Sequence, residues 1–348
     1  MDTLSNYMFD FSLPVDKSVD MLGVMYGSPS DDSEAAAAVL TEFVNDFDSK
    51  IWLSYRTDFP SLCDKNRESV EIISDAGWGC SIRVTQMLIA QSLVYLSLGR
   101  DWRLSSGVGM EEYQRIVALF LDDLSAPLSI HNMVRLGHQM FNKRPSEWFG
   151  PTSGARVIDS LIASAPESQL AGVGCITFDG GEIYSPEVVE ALHGKRGLMV
   201  LMTHRIGIDS IDLARYKGTI LSLFACPFFQ GLSSGESIVS AYFFVAASDE
   251  WLYYLDPHTV QPALTVDQWR PNPQPKPLKM RWQRLNPSLT FGFAVKSAEE
   301  WTQLSDYLRR LDAGLFEISE KPREERRYSV EMTEEDDMVI LEDGANTD

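Results

Sequence analysis

Two short stretches hold residue types that together can attack a carbonyl carbon. The first, SDAGWGCSIRVTQMLIAQSLV, spans Ser74 to Val94 and sets Cys80 behind Gly77, Trp78 and Gly79, at the mouth of a long helical pattern. The free N–H groups and dipole at a helix start favour an anion, and thiolate is the attacking form of cysteine. Gly77 and Gly79 let a backbone or a substrate come close, and Trp78 would wall a cleft. The competing reading is a small apolar cysteine packed in a first helical turn, since free cysteine is commonly buried. Cys63, Cys175 and Cys226 lie inside or beside apolar runs, and for them the packing reading is preferred.

A cysteine nucleophile needs a base, and the base needs a group that orients it. His131 and His138 fall in helical patterns, His193 in the polar turn HGKRG, and His204 after an apolar strand. His258 differs from these. It closes YYLDPHTVQPA, directly after Asp256 and Pro257. In an extended chain residues i and i+2 point to the same side, so Asp256 can hold one ring N–H while the other nitrogen faces a thiol. Pro257 stiffens the pair by fixing its own φ. The alternative is an Asp-Pro turn with an exposed histidine. Sequence spacing alone does not bring His258 to Cys80.

The elements that must position these residues are readable in outline. SPSDDSEAAAAVLTEFVNDF starts a helix, with Ser and Asp caps and a run of alanines. IWLSYRTDFP, Ile51 to Pro60, reads as a buried segment that ends at proline. The helix opened by Cys80 runs to about Leu98, with Gly99 as its C-terminal stop. Residues 110–165 carry three further helical patterns. RGLMVLM, SAYFFVAAS, WLYYLDPH and LTFGFAV read as strands, RPNPQPKP as a proline-rich loop, and SAEEWTQLSDYLRRLD as a last amphipathic helix. Helices come first and most strands later, which predicts an α+β class.

Bulk properties narrow the partners. The net charge is −20 over 348 residues, which argues against nucleic acid or anionic lipid as the main partner. Ser329 to Asp348 holds eight carboxylates and no Lys or Arg, and reads as a solvated, flexible tail. Residues 1–27 read as an irregular arm. The start MDTLSNYMFD lacks a cationic, apolar leader pattern, and no apolar run is long enough to span a membrane. The four cysteines form no Cys-x-x-Cys pair, so neither a zinc site nor a disulfide framework is expected. A reducing cytosol fits this usage.

GWGCSIRVTQMLIAQSL and YLDPHTVQPA closely resemble the two signatures of the autophagins, the autophagy cysteine proteases that process ubiquitin-like modifiers. IWLSYRTDFP, LGRDWR, EWFGP and LNPSLTFGF match further pieces in order, so the resemblance spans roughly Leu22 to Glu320. It implies a papain-like fold with a small helical insertion at about 110–165, inside a protease domain over 28–328. It implies Cys80 as nucleophile, His258 as general base, Asp256 as its orienter, and Tyr55 as an oxyanion-hole donor beside the Cys80 N–H. Trp148 matches a tryptophan that covers the cleft. Phe229 to Ser237 lies where the family has a mobile loop over the site, so Phe229, Gly231 and Trp78 are expected against the substrate. The implied reaction cuts after a glycine near the modifier's C-terminus, both in the precursor and in the conjugate with phosphatidylethanolamine. No metal or organic cofactor is implied. Membrane contact would be indirect, through the lipidated substrate, and a cytoplasmic monomer is the default.

Two departures qualify the resemblance. Val84 stands where some animal members carry a second cysteine, so redox control there is not implied. Met338 to Leu341 resembles the acidic-hydrophobic motif that binds autophagy modifiers, but Met338 replaces its aromatic. Another papain-like thiol enzyme, of deubiquitinase or transglutaminase type, and a non-catalytic modifier-binding protein are the alternatives.

Overall fold

The computed structural model describes residues 13, 17–27, 33–63, 71–170, 172–237, 240–311, 314–321, 328–331 and 339–342. The early strands are β1 (Val19–Met21), β2 (Val24–Tyr26), β3 (Arg56–Cys63) and β4 (Glu71–Ser74). The first helices are α1 (Ser33–Asp48), α2 (Cys80–Leu98), α3 (Met110–Ala118), α4 (Ile130–Phe141), α5 (Pro151–Ser164) and the short α6 (Glu167–Leu170). There follow β5 (Val173–Asp179), β6 (Glu182–Tyr184), α7 (Ser185–Leu192), β7 (Gly197–Arg205), α8 (Leu213–Phe224), β8 (Phe229–Ser234), β9 (Tyr242–Ala247) and β10 (Trp251–Leu255). The chain continues with β11 (Gln261–Pro262), β12 (Leu278–Arg281), β13 (Ser288–Val295), α9 (Ala298–Arg310) and β14 (Glu317–Ser319). A last hairpin joins β15 (Tyr328–Glu331) to β16 (Val339–Glu342).

The core is one twisted sheet in the order β12-β10-β9-β8-β13-β7-β5, with β1 and β2 added beside β9. Its pairs are antiparallel apart from β5 against β7, which are parallel and joined through α7. β13 lies inside the sheet, with Gly292 opposite Leu201 on one side and Gly231 on the other. A Cβ on Gly292 would sit 2.4 Å from Leu88 Cδ1, so this glycine lets α2 lie directly on the sheet. α5 shares that face: a Cβ on Gly154 would come within 2.9 Å of Thr85 Oγ1. α8 covers the opposite face, where Phe224 meets Phe229 edge-on at 5.2 Å. α9 joins α8 and α7 there through Tyr307 OH to Ser222 O (2.6 Å) and Trp301 Nε1 to Ser185 Oγ (3.0 Å). Covering both faces is what makes the strands apolar on both sides: β7 and β13 are buried almost throughout.

The fold is α+β and papain-like, and most elements fall where the sequence places them. Several differ. Residues 19–26, expected inside an irregular arm, form the β1–β2 hairpin, which pairs with β9. Val19 and Met21 are fully buried, and the turn uses positive φ at Leu22 (46°) and Gly23 (90°). β3 does not stop at Pro60. It runs on to Cys63 because its pairing with β4 is irregular between Thr57 and Leu62, and proline is tolerated at such a break.

A larger correction concerns Phe229 and Gly231. The glycines and serines of Phe229–Ser237 read as a mobile loop, yet Phe229–Ser234 is an interior strand, with every residue buried. Gly231 has φ of 128°, and a Cβ there would stand 2.5 Å from the Phe243 ring. Its smallness serves packing, and Phe229 is itself fully buried in the sheet. The turn proper begins at Gly235, where Ser240 Oγ accepts from the N–H groups of Glu236 (3.1 Å) and Ser237 (3.2 Å).

Candidate active site

Cys80 is the first residue of α2, with Gly79 as an N-cap that offers no side-chain acceptor. The first-turn N–H groups of such a helix have no intrahelical partner and face whatever sits at its mouth. The turn before it explains both glycines. Gly77 adopts φ of 86°, a left-handed conformation that costs other residues strain. Gly79 packs on the Asp75 side chain: an added Cβ would lie 2.4 Å from Asp75 Oδ2. Trp78 is half-buried, its Nε1 donating to Ser74 O at 3.0 Å.

His258 and Asp256 arrive from the other side, just past the end of β10. His258 Nδ1 donates to Asp256 Oδ1 at 2.6 Å, and the His258 backbone N–H donates to the same oxygen at 2.9 Å. With Nδ1 so engaged, Nε2 is left for the thiol. The Cys80 side chain lies within hydrogen-bonding reach of both the His258 imidazole and the Tyr55 hydroxyl. The structure thus brings Cys80, His258, Asp256 and Tyr55 into one cluster from segments up to 203 positions apart (258 − 55).

Burial pulls the His258 imidazolium toward neutrality, but its hydrogen bonds to Asp256 and Cys80 outweigh that and push its pKa up to about 9. Burial, then the adjacent Cys80, drive the Tyr55 hydroxyl pKa strongly up as well, so Tyr55 stays a proton donor at any working pH. The Gly77 N–H supports the Tyr55 oxygen. Two aromatic edges fix the imidazole plane: Tyr55 at 5.4 Å and 87°, and Tyr242 at 5.3 Å and 64°. Cys80 is 1% exposed, so a substrate reaches it only when its surroundings give way.

The site also holds residues the sequence reading passed over. Gln274, in the proline-rich loop, accepts from the Asp256 N–H at 2.6 Å and donates to Tyr254 O (3.2 Å) and Lys276 O (2.8 Å). Trp52 Nε1 donates to Asp256 O at 2.7 Å, and the Tyr55 N–H donates to Pro257 O at 2.7 Å. The Asp-Pro-His turn is therefore held on three sides. Gln274 sits 18 positions from Asp256 in a loop without periodicity, so no sequence signal could have found it.

Trp148 stands just before α5, half-buried, with Lys143 Nζ donating to its carbonyl at 3.1 Å. Its indole N–H is buried and meets no hydrogen-bond partner among the described residues. His131 is a packed helix residue, bonded to Pro60 O at 2.6 Å, and His204 bonds Leu315 O at 3.2 Å. Neither belongs to the cluster. Among the described residues no group of acidic, His and Cys side chains could hold a metal ion. Beside β3 and residues 263–266, which lead away from Tyr55 and His258, opens a groove of about 640 Å³ lined by Pro60, Leu121, Ala126, Leu264 and Val266.

A buried thiol bonded to an imidazole that a carboxylate orients is the arrangement of a thiol hydrolase. Residues 40–307 match the Peptidase C54 catalytic domain. The chain belongs to the peptidase C54 family. It is 32% identical over 306 residues to the "Cysteine protease atg4" of Emericella nidulans, covering 79% of this chain and 75% of that one. It is also similar to the "Probable cysteine protease atg4" of Aspergillus clavatus, at 32% over 304 residues, 78% of this chain and 74% of the relative. For the protein of that name from Aspergillus oryzae the figures are 31% over 290 residues, 74% and 70%. This C54 chain is thus a cysteine-type peptidase. Among its described residues no helix is long and apolar enough to cross a membrane.

Proposed function

We propose that this C54 peptidase is an autophagy protease that cleaves after a C-terminal glycine of a ubiquitin-like modifier, maturing the precursor and releasing the modifier from phosphatidylethanolamine. Cys80 attacks the glycine carbonyl as thiolate, and His258 accepts the thiol proton. The developing oxyanion takes hydrogen bonds from the Tyr55 hydroxyl and the Cys80 N–H at the helix mouth. Protonated His258 gives its proton to the leaving amine, of a peptide or of the lipid headgroup. Water then attacks the thioester, with His258 as base, and frees the carboxylate. Asp256 holds the imidazole in the tautomer that both steps need.

The observation that carries this reading is the meeting of the Cys80 thiol with an imidazole whose Nδ1 is fixed 2.6 Å from Asp256. The autophagy substrate is supported by the names of the similar fungal proteases and by the burial of Cys80, which suits a slender glycine-ended tail better than a bulky loop. Trp148 and Trp78 are proposed to flank that tail, and the groove of about 640 Å³ to receive part of the substrate beyond it. The protease domain is assigned to residues 28–328 with the helices of 110–165 as its insertion, and the acidic segment from 329 as a separate tail. Met338 lies outside the described residues, while the backbone of Val339–Leu341 runs in β16.

The test is incubation with an unprocessed modifier and with its lipidated form, the products read by mass spectrometry. Cleavage immediately after the terminal glycine in both, lost in Cys80→Ala, supports the proposal. Turnover of ubiquitin fusions with neither autophagy substrate cut would refute it.

A further inference from the structure

The sequence around Cys80 carries an aspartate five positions before it and an arginine three after, and the reaction above gives neither a task. Both are fully enclosed: Asp75 is 0% and Arg83 1% exposed. Asp75 engages Arg56, the residue next to Tyr55, in both directions. Its Oδ1 accepts from the Arg56 N–H at 2.6 Å, and its own N–H donates to Arg56 O at 3.2 Å. On its other side the Asp75 carbonyl accepts from the N–H groups of Trp78 (3.2 Å) and Gly79 (2.9 Å). Its Oδ2 accepts from Arg83 Nε at 2.7 Å. Gly79 lies so close that any Cβ would overlap that oxygen. Arg83 is in turn held by Asp122, 2.7 Å from Nη1, in the segment after α3.

Asp75 thus ties the segment that presents the Tyr55 hydroxyl to the turn and helix that present the Cys80 N–H, its carboxylate bridging the Arg56 N–H and Arg83 while its carbonyl holds the turn. We propose that Asp75 is the positioning residue of the oxyanion hole, fixing the separation of its two donors, with Arg83 as the strut that locks Asp75. An oxyanion hole works because its donors are already in place when charge develops, so a fixed separation is where its effect resides. A fully enclosed ion pair is a poor means of gaining stability alone, since desolvation offsets most of the attraction. Precise placement is the better reason for one beneath this turn.

The inference rests on the assignment of Cys80 and Tyr55 as attacking thiol and oxyanion donor, and the experiment separates the two. Alkylation of Cys80 by iodoacetamide needs the thiolate but forms no oxyanion. Turnover of the modifier precursor needs both. In Asp75→Asn, kcat is expected to fall about tenfold to a hundredfold, less than loss of a whole donor, with KM changed by less than about threefold. The alkylation rate at pH 7 should stay within about threefold of wild type. Arg83→Lys, which keeps the charge but not the Nε contact, should show the same split and serves if Asp75→Asn does not fold. Adding Tyr55→Phe to either variant should cost little more than Tyr55→Phe alone, because the same donor is already lost. Alkylation slowed in step with turnover, or losses that multiply in the double variant, would overturn the role of Asp75 and leave the protease assignment standing. Undiminished turnover in Cys80→Ala would instead remove the assignment beneath it.

Discussion

Replacing Asp256 by Asn tests what holds the His258 proton. Burial favours neutral imidazole, and the hydrogen bonds to Asp256 and Cys80 override it, which places the His258 pKa at about 9 rather than about 6.5. At 1.36 kcal/mol per pH unit that difference is about 3 kcal/mol. The His258 side chain is 31% exposed, so solvent screening reduces the figure to about 2 kcal/mol. Asn keeps an acceptor for the His258 N–H groups but carries no charge, so the Asp256 share of this, larger than that of Cys80, is lost. The alkaline limb of kcat/KM should then move from near pH 9 to about pH 8, with a lower plateau from the weaker hold on the tautomer. Initial rates of precursor cleavage between pH 5 and 10, for both proteins, give the answer. The raised value also has a stability consequence. It favours the folded state fully below about pH 6.5, and that contribution fades as pH rises through about 9. The fall in melting temperature over that window should therefore shrink in Asp256→Asn. An alkaline limb that stays within about 0.3 pH units of wild type would refute the argument that Asp256 sustains the imidazolium.

Tyr55→Phe should lower kcat about a hundredfold or more while Cys80 alkylation continues, since only the oxyanion loses a donor; a KM effect with kcat unchanged would contradict this. Gly79→Ala forces a Cβ to 2.4 Å from Asp75 Oδ2 and Gly77→Ala strains φ of 86°, so both should melt early. Gly79→Ala should cost more, roughly 2 kcal/mol or above against about 1, as read by denaturant unfolding. Burial raises the Asp159 carboxyl to about 6, which penalises folding once the pH passes from about 4 to above 6. Asp159→Asn should therefore stabilise by about 1–2 kcal/mol at pH 8 and have little effect at pH 4, measured by thermal denaturation at both.

The parts of this site that were readable in sequence are those with local signals. Cys80 declares a helix start through the glycines before it and the apolar run after it. Asp256 and His258 share a strand end two residues apart, which is enough to pair them but not to say what they face. What brings them to Cys80 is the stacking of α2 on β8, β9 and β13, a long-range arrangement that rests on Gly292 meeting Leu88. Such contacts leave no periodic trace. The misreading of Phe229–Ser234 has the opposite cause. Gly231 and its serine neighbours imitate loop composition, while tertiary packing against Phe243 and Phe293 makes the segment a central strand. The β1–β2 hairpin was hidden by its length, three residues per strand, too short for alternation to register. Gln274 and Trp52 support the Asp-Pro-His turn from afar, and buried polar residues of that kind reveal themselves only through their partners.

The central claim is that one thiol, Cys80, attacks the carbonyl of a glycine at the end of a ubiquitin-like modifier. A modifier ending at that glycine and bearing an electrophilic vinyl sulfone captures the attacking atom permanently. Intact-mass and peptide mapping should show a single adduct per enzyme, located on Cys80, and none in Cys80→Ala. An adduct on Cys63, Cys175 or Cys226, or an enzyme that cuts the precursor yet forms no adduct, would contradict the account.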